Sequence, residues 1–481
     1  MLDEVSARRK ASGLRVSCAG HIIELAIGLV AFAIYGYYRV RYVGGCDAWA
    51  YVSHGRLLRG HDVGLATTFD PVRYPAVVPL CYELAGKHFV PGMPPGYGVE
   101  LALGGLVGGE FFVSPLVGAA CAVLAYRFAR ESGDRTIALG LTALWITSPI
   151  VIWGGISLMS DLSAAVGLWL SHALAASESS RAGGLVLGAS VGIRPTNLLF
   201  FPSGVITVPK NRVPVFALGL SVGLLGWFWF GLRRYGGLAV FPMYGSNIEG
   251  ITYERFGAQL WFYATTTCRM FPLLVPLAVV NVVRSPRASL PLVLWLAAFV
   301  LFYAGWRWPY DAWWWTRHIL PGYPALALLA FRGMGLLRAA FAPARTKLFA
   351  CATAVLVAAN VVANLEFAES HGLFSRKLEY HYQVNSAIVR RSVAANSLVG
   401  GLNFSGALRY YAGLETFRWD HVKAPDVIDA ALDRGRPVYV VIEPDLFETH
   451  PQAVALRTRY RLRAVKKLRQ GYVLRTVERR R

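Results

Sequence analysis

Charge is scarce in this sequence. Only 16% of its 481 residues are Asp, Glu, Lys or Arg, while 55% are hydrophobic. No soluble core of this size needs so many apolar runs, so a single soluble globule is excluded. Acids are the scarcer sign: 28 Asp and Glu stand against 49 Lys and Arg, a net charge of +21. Much of the basic excess lies in short segments between apolar runs and in the tail RYRLRAVKKLRQ. Membrane topology and contact with anionic lipid account for it, and nucleic acid is not an expected partner. Cysteine is also rare, six in all, with no C-x-x-C spacing and no His-rich tract. Spacing therefore offers no metal site. Cys46 and Cys81 fall in one long loop. They either pair, if that loop faces an oxidising space, or remain two thiols.

What is present is a series of long apolar runs. Backbone groups cannot stay unpaired in hydrocarbon, so each run is helical or part of a closed barrel. The runs are continuous rather than alternating, which selects helices. Expected spans are 20–38, 111–129, 136–152, 160–176, 183–194, 196–209, 213–232, 260–282, 289–305, 318–337 and 347–364, about 11 in all. The first is not a cleavable signal, because more spans follow and no small-residue cleavage site precedes a soluble domain. The runs 183–194 and 196–209 are short for a bilayer of about 30 Å and are divided by Arg194-Pro195, the pattern of a broken pair that dips and returns. Pro95–Gly109 is apolar but short and glycine-rich, which reads as interfacial or re-entrant.

Positive charge sets the orientation. ARRK near the start, Arg127, Arg130, Arg135, Arg181, Lys210, Arg212, Arg284, Arg287, Arg332, Arg338, Arg345 and Lys347 all fall on one side of this count. That side is the cytoplasm. Arg233-Arg234 falls on the other. An odd count puts the N-terminus inside and the C-terminus outside. Three features then share the outer face: the loop 39–95, the stretch GWRWPYDAWWWTRH (305–318) and the tail 365–481. In the tail, SLVGGLNFSGALRYYAGL and RPVYVVIEPD read as short strands and PDVIDAALDRG as a helix, a small extracytoplasmic α/β domain. The expected division is 1–364 for the all-α membrane domain and 365–481 for the outer domain.

Acids and cations on that face are the candidates for chemistry. Asp47, in GGCDAWAYVSHGRLLRG, follows the first span at the water–lipid boundary, where partial desolvation suits a carboxylate to general-base work. Tyr51, His54 and Arg56 are placed to orient a polar substrate. The plain alternative is a helix cap or a snorkelling interfacial pair. In PGMPPGYGVELA the prolines stop one element and start another, bringing Tyr97 to the loop, and Glu100 lies in an apolar run where an acid is costly. Asp161 opens a span on the same face, with Ser160 as a possible cap partner. In YDAWWWTRHILPGYP, Arg317 and His318 open a late span beside three tryptophans. Arginine at headgroup depth suits a phosphate, though arginines also snorkel there. Lys87, Arg73 and Arg307 are further outer cations.

The order of these pieces resembles the GT-C class of membrane glycosyltransferases. The nearest likeness is to the dolichyl-phosphate-mannose–protein mannosyltransferase superfamily and its bacterial relatives, including the lipid A aminoarabinose transferases. The carrying motifs are D-x-x-x-Y-x-x-x-G-x-x-L (Asp47, Tyr51, Gly55, Leu58), PPGY, YRFARESGDRTIALGLTALWITSPIVIWGGISLMSDLSAAVGLWL, GGLVLGASVGIRPTNLLFFP and WWWTRHILPGYPALALLA, in order over residues 20–364; GALRYYAGLETFRWD resembles the outer domain of some bacterial members. The resemblance implies an inverting transfer of a sugar from a polyprenyl-phosphate donor to a lipid, glycan or protein acceptor, on the outer face of a bacterial inner membrane. By position, Asp47 matches the catalytic acid, Asp161 a second acidic position, Arg317 the arginine before the late Pro-containing span and Lys87 a phosphate contact. Arg307 is added from its place on the outer face to the expected donor phosphate site, and Tyr51, His54 and Tyr97 are the expected substrate-orienting residues. Ala48 follows Asp47 where many eukaryotic members carry a second acid. That favours the bacterial branch and leaves divalent metal possible but no cofactor assigned. Two other functions fit the composition. A transporter or flippase of lipid-linked or anionic substrates would show matching broken helices, and the sequence shows one broken pair. An envelope polysaccharide polymerase or ligase would differ in its donor.

Overall fold

The apolar runs become helices, and prolines and polar residues decide where each one stops. The computed structural model describes residues 18–61, 66–85, 88–132, 135–235, 251–306, 312–341 and 346–480. Among these, six helices are long and apolar enough to cross a bilayer: His21–Tyr38, Glu110–Glu131, Lys210–Arg233, Pro286–Ala304, Trp313–Ala340 and Lys347–Ser370. Two more candidates are bent pairs, Arg135–Ile146 with Pro149–Ile156 at 69° and Phe256–Met270 with Leu274–Arg284 at 109°. The count by length and composition is thus six, or up to eight, against the eleven expected from the sequence. Length is the reason: Asp161–Ala176 has 16 residues and Ser180–Ile193 has 14, short of the roughly 20 a span requires. The bent pairs also differ from the sequence reading, which saw continuous spans at 136–152 and 260–282.

The helix from Trp313 to Ala340 is the innermost, 83% buried, whereas Lys347–Ser370 is only 11% buried and exposes Leu348, Val355 and Leu356 on an apolar outer face. Around the former lies a core of Trp145, Trp169, Phe271, Trp295 and Tyr323. Ring contacts at 4.9–5.7 Å, edge-on or stacked, lock it. Whatever sits at the start of this central element is therefore held by the whole bundle.

After the helix Thr346–Ser370 the chain builds a five-stranded sheet. In the loop that follows the first helix, β1 (Tyr82–Ala85) and β2 (His88–Pro91) form an antiparallel hairpin. The C-terminal strands are β3 (Leu398–Gly401), β4 (Glu415–Arg418), β5 (Val438–Ile442), β6 (Tyr460–Lys467) and β7 (Val473–Arg479), in the order β4-β3-β5-β7-β6. β3 pairs in parallel with β4 and β5, with helices Phe404–Ala412 and Ala424–Asp433 as the crossovers that parallel pairing needs. The small α/β domain expected from the sequence is present, with one change: FSGALRYYA is a helix, not a strand. The basic tail is also more than a lipid-facing segment. YRLRAVKK is the edge strand β6, whose exposed Arg and Lys side chains blunt a sheet edge that would otherwise pair with other chains.

Candidate active site

Asp47 stands in the first turn of the helix Cys46–Leu58, where the amide end of the helix favours an acid. Its Oδ2 accepts a hydrogen bond from Arg317 Nη2 at 2.9 Å. The two residues are 270 positions apart in sequence, and their side chains are 24% and 10% exposed. Arg317 lies in the 3₁₀ segment Trp313–Gly322, which leads into the central helix. Its guanidinium is only partly committed. Nη1 donates to the Met159 thioether at 3.4 Å, a weak acceptor, and Nε is buried with no hydrogen-bond partner among the described residues. Rings of Trp153, Trp314 and Trp315 stand 5.7, 5.5 and 5.6 Å from its carbon, so the cation is screened by aromatic faces rather than by water.

A second acid and arginine meet beside this pair. Arg194 precedes Pro195, and the proline ring forces the residue before it out of the helical region. Arg194 is accordingly extended, with φ −151° and ψ 113°, and the helix Ser180–Ile193 ends there. The freed side chain forms a buried ion pair with Asp161. Its Nη2 donates to His318 Nδ1 at 2.7 Å and to Tyr303 Oη at 3.2 Å. Adjacent residues Arg317 and His318 thus reach two different acid–arginine pairs. Tyr51 ties them together from the other side, its hydroxyl 2.8 Å from Ser160 Oγ, next to Asp161. Ser160 makes no side-chain cap bond to the helix it precedes, so the capping role open to it from sequence is not the one it takes.

The structure brings Asp47, Tyr51, Asp161, Arg317 and His318 into one network. Tyr97 is one step back: it stacks edge-on against Tyr51 at 5.1 Å and its hydroxyl is 2.7 Å from Ser114 Oγ. The PPGY turn has a further use at Gly96, where a Cβ would fall 2.5 Å from the Ile193 backbone nitrogen. Only glycine lets this helix start press against the end of Ser180–Ile193, just where Arg194 must emerge. His54 is buried against Gly98 and the Phe230 ring. Arg56 joins Arg59 on Glu110 and covers the Tyr410 ring, which ties the Asp47 helix down. Glu100 accepts from Ser163 at 2.7 Å and steadies the Asp161 helix. Arg73 is exposed over Tyr74. Lys87 and Arg307 lie outside the described residues. Sequence reading missed Arg194 as a site residue; it took the Arg-Pro pair only as a break, although the forced extension before proline was the signal. Cys46 and Cys81 are both free, and each sulfur faces Asp47 Oδ1, at 3.3 and 3.5 Å.

The C-terminal domain rests on the Asp47 helix. A Cβ at Gly406 would fall 2.3 Å from the ring of the fully buried Trp49, so helix and domain touch without a gap. Val43 N–H donates to Tyr411 Oη at 2.6 Å, and Glu415 accepts from Thr67 and Thr68. At this junction the Glu379 carboxyl takes a hydrogen bond from the Gly45 amide, yet burial still pushes it up to about 7. A carboxyl raised in the folded state binds its proton more tightly there than in the unfolded chain. Folding stability should therefore fall as pH rises from about 4.5 to about 7 and level off above. Thermal unfolding of wild type against Glu379→Gln across that range checks it: the variant's profile should be flatter.

No protein-family model matches this chain, and no curated protein matches it. Solved structures do. The chain is similar to ArnT from Cupriavidus metallidurans in the apo state, at 15% identity and a TM-score of 0.61, over 96% of this chain and 98% of that one. It is similar also to ArnT from the same organism bound to undecaprenyl phosphate, at 14% identity and a TM-score of 0.56, over the same shares. A third is the archaeal oligosaccharyltransferase AglB from Archaeoglobus fulgidus, in complex with an inhibitory peptide and a dolichol-phosphate; identity is 12%, the TM-score 0.51, and 89% of this chain and 70% of that one are covered. At such identities the likeness is one of fold. The chain has the fold of these structures, over its membrane bundle and its C-terminal domain together.

Proposed function

We propose that this chain is a glycosyltransferase that moves a sugar from a polyprenyl-phosphate donor to an acceptor, with Asp47 as general base. The observation that carries the reading is the Asp47–Arg317 pair, in which a guanidinium caged by three tryptophans keeps two of its donor nitrogens short of a strong acceptor. A donor phosphate replaces the Met159 thioether as the acceptor of the Nη1 hydrogen bond, while Nη2 keeps Asp47 in place. The acceptor's O–H or N–H attacks the anomeric carbon. The bond from that carbon to the phosphate oxygen breaks, the proton passes to Asp47, and polyprenyl phosphate leaves with its charge held by Arg317. One displacement inverts the anomeric centre. Arg194, fixed by Asp161, holds His318 and so the segment that carries Arg317. Undecaprenyl phosphate on ArnT and dolichol-phosphate on AglB support the choice of lipid carrier.

The charge distribution supports an N-terminus in the cytoplasm and the site on the outer face, with 365–481 as an outer domain over the Asp47 helix. A bacterial inner membrane and a lipid, glycan or protein acceptor complete the reading. Arg317→Lys tests it. Lysine keeps the charge and can keep Asp47, but it lacks the planar fork. Losing one charged hydrogen bond to phosphate, at about 1.5–3 kcal/mol, should lower donor kcat/KM by about 10–100-fold with little change in thermal stability. Steady-state kinetics in nanodiscs with an undecaprenyl-phosphate sugar measures it. Unchanged kinetics would return Arg317 to a structural cation.

A further inference from the structure

Two thiols flank the carboxylate that this mechanism uses, and the mechanism leaves them idle. Cys46 opens the Asp47 helix, and Cys81 stands at the base of the β1–β2 hairpin. The two sulfurs and the carboxylate oxygen lie within 4.8 Å of one another. No other group of three or more His, Cys, Asp or Glu side chains among the described residues has such spacing. Cys81 is also one of the few non-glycine residues with a left-handed backbone, at φ 66°. Such a conformation is costly and persists where the surroundings impose it. Here the Gly92 amide donates to the Cys81 carbonyl at 2.9 Å, and Tyr82 packs its ring 4.4 Å from that of Trp49. Hairpin and helix are thereby clamped with both sulfurs turned to Asp47.

We propose that Cys46, Cys81 and Asp47 Oδ1 form a binding site for a soft divalent cation of the zinc class. Tetrahedral coordination, with zinc about 2.3 Å from sulfur and about 2.1 Å from oxygen, sets sulfur and oxygen about 3.6 Å apart. The distances here are 3.3 and 3.5 Å, so little movement is needed. Thiolates select zinc over magnesium or calcium, which take oxygen ligands. The two carboxylate oxygens divide the work: Arg317 holds Oδ2, and Oδ1 is left to the ion, the kind of outer support that orients a ligating carboxylate. Three protein ligands leave a fourth position for water or a substrate oxygen. One consequence rests on the transfer reading above: with Oδ2 tied to Arg317, Oδ1 is the oxygen that accepts the proton, so a bound ion holds turnover off.

The test reads zinc, not transfer, so failure of the site and failure of the transfer reading are distinguishable. The full chain is purified in detergent under reducing conditions without chelator, equilibrated with zinc and washed, and its metal measured by mass spectrometry. Wild type and Cys121→Ser, a buried thiol outside the cluster, should hold about one zinc per chain, and Cys46→Ser/Cys81→Ser at least about tenfold less. Magnesium should give none. Cobalt should give a thiolate-to-metal charge-transfer band in wild type and none in the double variant. Folded wild type that takes up no zinc overturns the proposal whatever the variants do. So does equal uptake by the double variant, or a Cys46–Cys81 disulfide with no uptake after reduction.

Discussion

Asp47→Asn should lower sugar transfer by about 10²–10⁴-fold, the range for loss of a general base. The substitution is a narrow one. Asparagine has the shape of aspartate, and its carbonyl oxygen can still accept from Arg317 Nη2, which now makes a 2.9 Å bond to Oδ2. What it removes is the charge and the ability to take a proton. The pair is only partly shielded, with Asp47 24% exposed, so its loss weighs less on folding than a fully buried pair would. Transfer assayed with an undecaprenyl-phosphate sugar, beside thermal unfolding and size-exclusion profiles, separates the two effects. A folded variant with near-normal turnover would remove Asp47 from the chemistry. A variant that loses turnover and fold together would make the acid a brace for Arg317.

The parts of this site that were legible in the sequence are those set by neighbours along the chain. Asp47 stands out as an acid just past the first apolar run; the sequence offered a helix cap there only as the plain alternative within a loop, and the structure puts the acid in the first turn of a helix. Tyr51, one turn on, shares Asp47's face of that helix and joins the network. His54 and Arg56 looked equally suited, but each is claimed by another element, His54 by the helix Pro95–Leu106 and Arg56 by Glu110. Nothing local distinguishes a polar side chain aimed into a site from one that fastens its helix. The same limit hid the pairings. Arg317 could be read as a phosphate-binding cation, yet its contact with Asp47 spans 270 residues and arises only when the central helix takes its place in the bundle. Cys81 meets Asp47 through a hairpin turned by a left-handed residue, which no cysteine advertises. The span count differs for a related reason: hydropathy reports how apolar a run is, not that its helix is only 14 or 16 residues long, nor where a 69° or 109° bend divides it.

Asp161→Asn should cost folding rather more than Asp47→Asn does, about 3–5 kcal/mol, because it leaves a buried cation without its counter-charge. The Arg194 and Asp161 side chains are 6% and 5% exposed, so water cannot make good the loss. Arg194 retains His318 and Tyr303, but both are neutral acceptors toward it. The decisive measurement is a double-mutant cycle. In Asp161→Asn/Arg194→Met the stranded charge is gone, and an apolar side chain fills its space. If the acid serves to hold Arg194, the double variant should be more stable than the single one, as measured by unfolding in detergent. Transfer gives the second reading. Arg194 is the residue that reaches His318, next to Arg317, so the double variant should recover stability without recovering turnover. Recovery of both would leave the pair with no part in positioning Arg317. Loss of turnover in Asp161→Asn with unfolding unchanged would instead bring Asp161 into contact with substrate, as a second acid facing the same sugar.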